Sequence, residues 1–257
     1  MVAGHQRYPG APRLAAEAAL RMGAGLVRLV VPESIYSASC TNPALMVAPH
    51  YEDGNGGFSA EPEWQLKEYL ERADCLVIGP GMGTGDARKL VRSLLETSDI
   101  PTVVDADALP AAWGLDAPRR WPLLLTPHAG ELARLLEQER SWVEEDPVRA
   151  VRTGARQTGA TVLLKGATQL VAASDGGPVM VAMPGPAWTA QAGSGDVLGG
   201  VCAALLAAGL DAPKAGQLGA SVQAVAAARH PGVLAPQELA RAIGQTLGRL
   251  QERARRL

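Results

Sequence analysis

A glycine-rich turn in the last third of the chain combines residue types that bind and transfer a phosphate group. Gly193, Ser194 and Gly195 are followed directly by Asp196 and then by a run of small and apolar residues. Closely spaced glycines let main-chain N–H groups face an anion, and the dipole of a following helix favours the same negative charge. A carboxylate beside a bound phosphate can serve as the base for an incoming hydroxyl. The same residues also fit an ordinary helix start that Asp196 caps. The other segments of the chain have to decide between a phosphate site and a helix cap.

Two segments nearer the N-terminus also predict close contact between backbone and ligand. Residues 79–85 contain four glycines, which expose main-chain amides in a way that suits a pyrophosphate. Their spacing differs from the dinucleotide-binding fingerprint, which disfavours a standard nicotinamide-dependent dehydrogenase. Gly10 and Ala11 remove side-chain bulk just before a helix start marked by Pro12. This second segment is either a plain strand-to-helix turn or a place where a flat ligand approaches.

Polar side chains follow three further strands. Asp105 and Asp107 either order the water shell of a metal ion or bind a ribose, or they cap the helix that follows them. His128 stands between a strand end and a helix start, where we expect it to contact a ligand. Lys165 either holds a nucleotide phosphate as a point charge or extends into solvent.

Apolar, β-branched runs alternate with alanine-rich stretches of helical character. The predicted strands are 26–31, 74–78, 102–104, 123–125 and 161–164, and the predicted helices are 12–22, 62–72, 86–97, 130–138, 147–159, 195–208, 213–229 and 236–252. This alternation predicts an α/β fold with a mostly parallel central sheet and helices on both faces. Residues 168–172 and 179–183 predict a late antiparallel hairpin at the sheet edge. Ligands of such folds bind at the carboxyl ends of the strands.

The start of the chain has the pattern of a buried strand that enters a turn. Residues 1–4 are shorter than the about five residues of a typical strand. Either the fold tolerates this stub, or the first strand is truncated and further residues precede it in the natural protein. The length of 257 residues, without a low-complexity run, predicts a single domain over residues 1–257.

Composition limits the classes of partner and the compartment. The chain is 47% hydrophobic and 19% charged with a formal charge of −2, which gives no electrostatic case for nucleic acid or an anionic membrane as a partner. The three cysteines lack metal-ligand spacing, and their odd number argues against a disulfide framework. We therefore expect a cytoplasmic location without a signal peptide or membrane span. Alanine-rich helices are also compatible with a homo-oligomer, which we expect.

Together the segments resemble the ADP/ATP-dependent NAD(P)H-hydrate dehydratases, a ribokinase-like family that repairs hydrated nicotinamide cofactors. The resemblance is carried by Tyr8-Pro9-Gly10-Ala11, Gly23-Ala24-Gly25-Leu26-Val27, Gly79-Pro80-Gly81-Met82-Gly83, Asp105-Ala106-Asp107-Ala108-Leu109, Thr126-Pro127-His128, Lys165-Gly166-Ala167 and Gly193-Ser194-Gly195-Asp196-Val197-Leu198. The last motif is shared with many ribokinase-like enzymes. The ordered set is far more specific.

The resemblance implies a ribokinase-like fold and the conversion of the S epimer of hydrated NADH or NADPH back to NADH or NADPH. ADP or ATP would phosphorylate the hydroxyl of the hydrate, and loss of phosphate would restore the double bond. Phosphoryl transfer also calls for a Mg²⁺ that bridges the phosphates. Epimerisation of the hydrate would come from an epimerase on another chain or occur spontaneously. The implied substrate contacts are Ala11, Gly83, His128 and Asp196, with Asp196 as the catalytic base. The nucleotide-binding residues predicted from the resemblance and from the glycine turn are Lys165, Gly166, Ala167, Thr168, Gln169, Gly193, Ser194 and Gly195.

Just ahead of the glycine turn the chain departs from the family pattern. Gln191 stands where a small hydroxyl residue is usual, and it would either crowd the nucleotide or replace one hydrogen bond. Two alternative functions stay open at this point. One is a kinase of the same fold for a hydroxyethylthiazole or hydroxymethylpyrimidine alcohol, against which the segments around His128 and Gly83 argue. The other is a catalytically silent nucleotide-binding protein.

Overall fold

A mixed β-sheet forms the centre of the computed structural model, which describes residues 1–60, 64–115, 121–230 and 232–256. The strands are β1 (Val27–Pro32), β2 (Leu45–His50), β3 (Leu76–Ile78), β4 (Thr102–Val104), β5 (Leu123–Leu125), β6 (Thr161–Leu164), β7 (Leu170–Ala172) and β8 (Met180–Val181). β1 pairs with β2 in parallel, and β3 to β8 lie side by side in chain order. The pairs from β3 to β6 are parallel, whereas β7 is antiparallel to both β6 and β8. The predicted parallel sheet and late antiparallel hairpin are confirmed.

Val2 joins the two groups of strands. It forms parallel bridges to Val30 of β1 and to Ile78 of β3. Its N–H donates to the carbonyl of Val77 at 2.8 Å, and its carbonyl accepts from the N–H of Gly79 at 3.3 Å. The segment 1–4, which the sequence predicts as a strand end, therefore occupies a central place in the sheet through this one bridging residue.

The helices fall close to the predicted ranges. They are α1 (Ala11–Arg21), α2 (Tyr36–Ser39), α3 (Trp64–Leu70), α4 (Ala87–Thr97), α5 (Ala129–Leu135), α6 (Arg140–Glu145), α7 (Pro147–Thr158), α8 (Ser194–Ala207), α9 (Ala212–Ala228) and α10 (Pro236–Ala254). The start that the sequence predicts for α3 at residue 62 lies outside the described residues. α5 ends three residues before the predicted position, and Glu137, with a φ of 54°, leaves the helical conformation there.

The sequence analysis missed several short elements. These are β2, α2, α6 and the 3₁₀ helices Glu33–Ile35, Ala106–Ala112 and Ala187–Thr189. Helices of three to seven residues are too short to show a clear 3.6-residue period. β2 lacks a continuous buried run, because most of its side chains are only partly buried and it contains a proline.

Helices cover both faces of the sheet, as predicted. Successive residues of the central strands point to opposite faces, so both neighbours are buried and the strands form nearly continuous apolar runs. Val77 and Val103 pack with α8, whereas Ile78 and Val104 pack in the cluster that includes α4 and α7. α1 covers β1 beside α8, and α10 packs outside on α1 and α9.

α8 lies at the centre of one helical layer and is apolar on nearly all sides. Val197, Val201 and Leu206 are buried, together with the glycines between them. A Cβ atom added to Gly200 would lie only 2.0 Å from the carbonyl oxygen of Ala15 in α1, so the two helix backbones are in direct contact. Within the described ranges, no helix combines the length and apolar character needed to cross a membrane.

The contact between α1 and α8 predicts that Gly200→Ala destabilises the protein. The new methyl group must push the helices apart, because it meets backbone rather than a movable side chain. We expect the free energy of unfolding to fall by ~1–3 kcal/mol or more, measured by urea denaturation followed by circular dichroism.

Gly248→Ala in α10 is the matched control. Gly248 is exposed, and a Cβ added there meets nothing within 4 Å. We expect the free energy of unfolding of this variant to rise by ~0.5–1 kcal/mol, because alanine has a better helix propensity than glycine. A Gly200→Ala variant as stable as the wild type would contradict the proposed backbone contact.

Candidate active site

The segments singled out in the sequence meet at the carboxyl edge of the sheet. β3 to β6 are parallel, so the glycine segment 79–85, Asp105, His128 and Lys165 all follow strands that end on the same side. α1 begins at Ala11 on this side, after the bridging residue Val2. Main-chain hydrogen bonds tie these segments together. The N–H of Gly4 donates to Pro80, and the N–H of Lys165 donates to Pro127.

The glycine segment lies directly against the start of α1. A Cβ added to Gly81 would be 2.8 Å from the Cβ of Ala11. At Gly79 it would be 1.9 Å from the carbonyl oxygen of Asp105, and the φ of 120° is one that favours glycine. The N–H of Gly83 donates to Oδ2 of Asp107 at 2.9 Å. The structure therefore brings Ala11 and Gly83, two of the predicted substrate contacts, into one region.

His5 belongs to this region but was not identified from the sequence. Its side chain is buried, and its Nδ1 accepts a hydrogen bond from the N–H of Arg7 at 3.0 Å. The ring packs so closely on Gly83 that an added Cβ would lie 2.6 Å from its Cδ2. Nothing in the local sequence distinguishes His5 from a surface histidine, because its burial depends on the glycine segment some 75 residues away.

His128 caps α5 through one ring nitrogen, and its other ring nitrogen, Nε2, lies 3.5 Å from Oε1 of Glu131. Its Nδ1 accepts from the N–H groups of Gly130 and Glu131 at 3.0 and 3.2 Å, and its own N–H donates to the Glu131 carboxylate at 2.7 Å. Partial burial lowers the pKa of His128. An imidazole that accepts at Nδ1 is neutral and carries its proton on Nε2. The Nε2 proton of His128 therefore faces the Glu131 carboxylate.

A buried ion pair links the ends of β4 and β6. Lys165 Nζ lies 2.6 Å from Oδ1 of Asp105 and 3.8 Å from Oε2 of Glu131. Burial by itself would lower the pKa of the Lys165 ammonium, but the charges of Asp105 and Glu131 raise it above its usual value. The Asp105 side chain makes no helix-capping hydrogen bond. Of the sequence-based alternatives, capping by Asp105 and a solvated Lys165 are therefore wrong.

The predicted glycine turn opens α8. Gly193 precedes the helix with a φ of 94°, and the Ser194 hydroxyl donates to the carbonyl of Gln191 at 2.8 Å. The Gln191 amide donates at 3.0 Å to the carbonyls of Trp188 and Leu234. The bond to Leu234 fastens the segment before the turn to the connection between α9 and α10, whereas the bond to Trp188 stays within that segment. The Gln191 donors are thus engaged within the protein.

Asp196 stands in the first turn of α8 and is largely buried. Burial, followed by the negative charges of Asp105 and Asp107, raises its pKa from the usual 3.8 to about 7, although Lys165 acts in the opposite direction. A carboxyl group that changes protonation near neutral pH is suited to general-base chemistry.

The rest of the predicted nucleotide-binding set lies between β6 and β7. Gly166, Ala167 and Thr168 are exposed, and Gln169 is partly buried. Oε1 of Gln169 is buried without a hydrogen-bond partner. Lys165 connects this segment to the glycine turn, because a Cβ added to Gly195 would be 3.3 Å from its Nζ.

The donor set does not form a protein cage for a metal ion. Among the described residues, no three or more His, Cys, Asp or Glu side chains are grouped to hold one. This fits a magnesium ion that is carried mainly by phosphate oxygens and water, which is how Mg²⁺ accompanies nucleotides.

Comparison with known sequences identifies a family. The profile of the family described as NAD(P)H-hydrate dehydratase matches residues 1–247. The bifunctional NAD(P)H-hydrate repair enzyme Nnr of Salinibacter ruber is 38% identical over 248 residues, which cover 93% of this chain and 45% of that protein. The ADP-dependent (S)-NAD(P)H-hydrate dehydratase of Xanthomonas campestris is 36% identical over 228 residues, which cover 88% of this chain and 78% of that protein. The chain thus spans about half the length of the bifunctional relative.

Comparison with solved structures supports the fold. The ADP/ATP-dependent NAD(P)H-hydrate dehydratase from Bacillus subtilis, co-crystallized with ATP/Mg²⁺ and soaked with CoA, superposes with a TM-score of 0.78. The superposition covers 96% of this chain and 90% of that one at 24% sequence identity. The ribokinase-like fold expected from the sequence motifs is confirmed.

The raised pKa of Asp196 predicts a pH-dependent gain in stability for Asp196→Asn. The folded pKa lies above the ordinary value, so the folded state binds the proton more tightly than the unfolded state. The wild type therefore loses stability as the pH rises from about 4 through 7. Asparagine avoids the buried charge. We expect Asp196→Asn to raise the free energy of unfolding above that of the wild type, measured with urea, by ~1–3 kcal/mol more at pH 8 than at pH 5.

Asp211→Asn is the matched control for this measurement. A hydrogen bond from the Lys214 ammonium holds the pKa of Asp211 below its usual value, so this carboxylate is ionised at both pH values in the folded and unfolded protein. Its substitution should have the same effect at pH 5 and pH 8. A pH-independent effect of Asp196→Asn would show that Asp196 does not titrate near neutrality.

Proposed function

Because the chain belongs to the NAD(P)H-hydrate dehydratase family, we propose that it converts the S epimer of hydrated NADH or NADPH back to NADH or NADPH at the expense of ADP or ATP. The observation that carries the proposal is Asp196, a partly buried carboxyl group in the first turn of α8, where burial and the charge of Asp105 raise its pKa to about 7. There a nucleotide phosphate and a substrate hydroxyl can approach the same carboxylate. The named activities of the Salinibacter and Xanthomonas relatives agree with it.

The hydrated cofactor would bind on the side of Ala11, Gly83 and His128. Ala11 and the glycine segment add little side-chain bulk where they pack together, beside the side chains of Tyr8 and His5, and this suits a flat ligand ring. His128 carries its proton on Nε2, since Nδ1 accepts from the α5 cap. This N–H, 3.5 Å from Oε1 of Glu131, would turn to donate a hydrogen bond to the substrate.

The nucleotide would bind between the β6–β7 connection and the glycine turn. Residues Lys165 through Gln169 and Gly195 would hold the AMP part, and Gly193 would present its N–H group to the phosphates. The N–H of Ser194 donates to the carbonyl of Gln191 at 3.1 Å and would have to exchange this bond to reach a phosphate. The buried Oε1 of Gln169 is an acceptor without a partner, which a nucleotide N–H group could satisfy. Mg²⁺ enters as the nucleotide complex and neutralises phosphate charge when bound.

Asp196 would act as the base in the phosphoryl transfer. The ionised carboxylate accepts the proton of the substrate hydroxyl while the hydroxyl oxygen attacks the terminal phosphorus of the nucleotide, which releases AMP or ADP. The carbon–oxygen bond of the phosphorylated hydrate then breaks, and phosphate leaves together with the proton of the adjacent carbon. This restores the nicotinamide double bond. Phosphate is a far better leaving group than hydroxide, which explains the use of a nucleotide in a dehydration.

Several expectations from the sequence stay predictions. They are the homo-oligomer, the separate epimerase, the cytoplasmic location and the single domain over residues 1–257. The Salinibacter relative is a larger bifunctional repair enzyme, of which the chain covers less than half. The activity of this chain is therefore to be tested with the chain itself.

Asp196→Asn tests the proposed function. Purified protein is incubated with hydrated NADH and ADP or ATP, and the return of nicotinamide absorbance is followed. We expect the variant to lose ~10²–10⁴-fold in rate, because the positioned base is removed while the shape of the site is kept. The rate of the wild type should rise with pH to a plateau, with a midpoint near the pKa of about 7.

Asp211→Asn, at the exposed start of α9, should turn over at the wild-type rate. If the wild type fails to restore NADH but accumulates a stable phosphorylated thiazole or pyrimidine alcohol, the chain is a kinase of the same fold. If it binds nucleotide without converting either class of substrate, it is a silent nucleotide-binding protein. Unchanged hydrate conversion by Asp196→Asn would refute the assignment of the base.

A further inference from the structure

The Asp105–Lys165 ion pair is more deeply buried than any other ion pair between described side chains whose exposure is known. The Asp105 side chain is 2% exposed and that of Lys165 18%, and the two residues are 60 positions apart in the sequence. An ion pair of this kind costs desolvation on both partners and is weak evidence for stability. Its position in the site therefore calls for a role in the chemistry.

Both charged groups lie against the first turns of α8. A Cβ added to Gly195 would be 3.3 Å from Nζ of Lys165 and 3.9 Å from Oδ2 of Asp105, and one added to Gly199 would be 3.8 Å from the same oxygen. Gly195 immediately precedes Asp196. Because these positions are glycines, no side chain from Gly195 or Gly199 separates the ion pair from the helix that carries Asp196.

Lys165 is therefore shared among several carboxylates. Asp105 binds it at 2.6 Å, Glu131 stands farther away at 3.8 Å, and the charges of Lys165 and Asp196 also interact. A buried ammonium group that loses its partner moves toward the remaining carboxylates, because an unpaired buried charge is costly. Without Asp105, Glu131 and Asp196 are the carboxylates that still act on Lys165, so the ammonium can turn toward Asp196 as well as toward Glu131. An ion pair with Lys165 would make Asp196 a poorer proton acceptor.

We propose that Asp105 is a positioning residue that holds the Lys165 ammonium away from Asp196, so that the Asp196 carboxylate stays free to accept the substrate proton. The catalytic meaning of this inference rests on the proposed function. The arrangement of the Asp105, Lys165 and Asp196 side chains can be tested even if the proposed function is wrong. Asp105 would touch neither substrate nor nucleotide and would act through Lys165.

The charges that face Asp196 come from several elements. Asp105 follows β4, Asp107 lies in the 3₁₀ helix Ala106–Ala112, and Lys165 follows β6. Glu131 of α5 acts on the same ammonium. Burial, Asp105 and Asp107 raise the pKa of Asp196, and Lys165 lowers it. Removing Asp105 should lower this pKa in two ways, by loss of its negative charge and by release of Lys165.

The test is a pH titration of the Asp196 carboxyl carbon by ¹³C NMR on protein labelled at the aspartate side chains. The signal is assigned as the one missing from Asp196→Asn. We expect the wild type to titrate near pH 7 and Asp105→Asn at least about one pH unit lower. In Asp105→Asn/Lys165→Met the titration should return upward by about one unit or more, because the released ammonium is gone.

Lys165→Met alone keeps the test decisive if Asp105→Asn does not fold. It removes a positive charge, so Asp196 should then titrate above the wild-type value. Asp211→Asn, which breaks an exposed pair with Lys214, should leave the Asp196 titration unchanged. An Asp196 titration that does not move in Asp105→Asn would overturn the proposal. So would a double variant that titrates like Asp105→Asn.

Kinetics separate this inference from the proposed function. If the wild type converts hydrated NADH, the midpoint of kcat/KM against pH should move to lower pH in Asp105→Asn and back in the double variant. If the wild type does not convert it, the proposed function fails. The order of the Asp196 titration midpoints in the wild type, Asp105→Asn and the double variant then still decides whether Asp105 holds Lys165 away from Asp196.

Discussion

The close packing of α8 is the constraint on which the site depends. Gly200 allows the backbone of α8 to touch the carbonyl of Ala15 in α1, and Gly219 allows α9 to approach Cys202, since a Cβ there would be 2.8 Å from its sulfur. Held between these helices and the sheet, α8 has little freedom to shift. Its first turn is therefore fixed at the carboxyl edge of the sheet, where β4 and β6 deliver Asp105 and Lys165.

This placement sets up a competition of charges at Asp196. The dipole of α8 favours an ionised carboxylate in the first turn by ~0.3–1 kcal/mol, and by ~2 kcal/mol in favourable geometry. The rise of the pKa from 3.8 to about 7 corresponds to ~4 kcal/mol in the opposite direction. Burial and the neighbouring acids Asp105 and Asp107 thus outweigh both the dipole and Lys165. The result is a carboxyl group with an affinity for protons suited to neutral pH.

Much of the fold could be predicted from local patterns. The ranges 102–104, 123–125 and 161–164 agree exactly with β4, β5 and β6, because each is a short apolar run between polar or turn-forming residues. β2 and the short helices could not be predicted in this way, since they lack a continuous buried run or a full helical period. The segments of the site could each be predicted separately from local sequence. Each follows a strand and carries its own glycines or charges.

The sequence by itself determined which residue types stand at the strand ends and that parallel strands would gather them at one edge. Only the tertiary structure decided what each side chain does there. Lys165 turns to Asp105, Nδ1 of His128 is used to cap α5, and the amide of Gln191 binds Trp188 and Leu234. The physical reason is that the direction of a side chain depends on neighbours brought close by strand order and helix packing. Local spacing in the sequence does not contain that order.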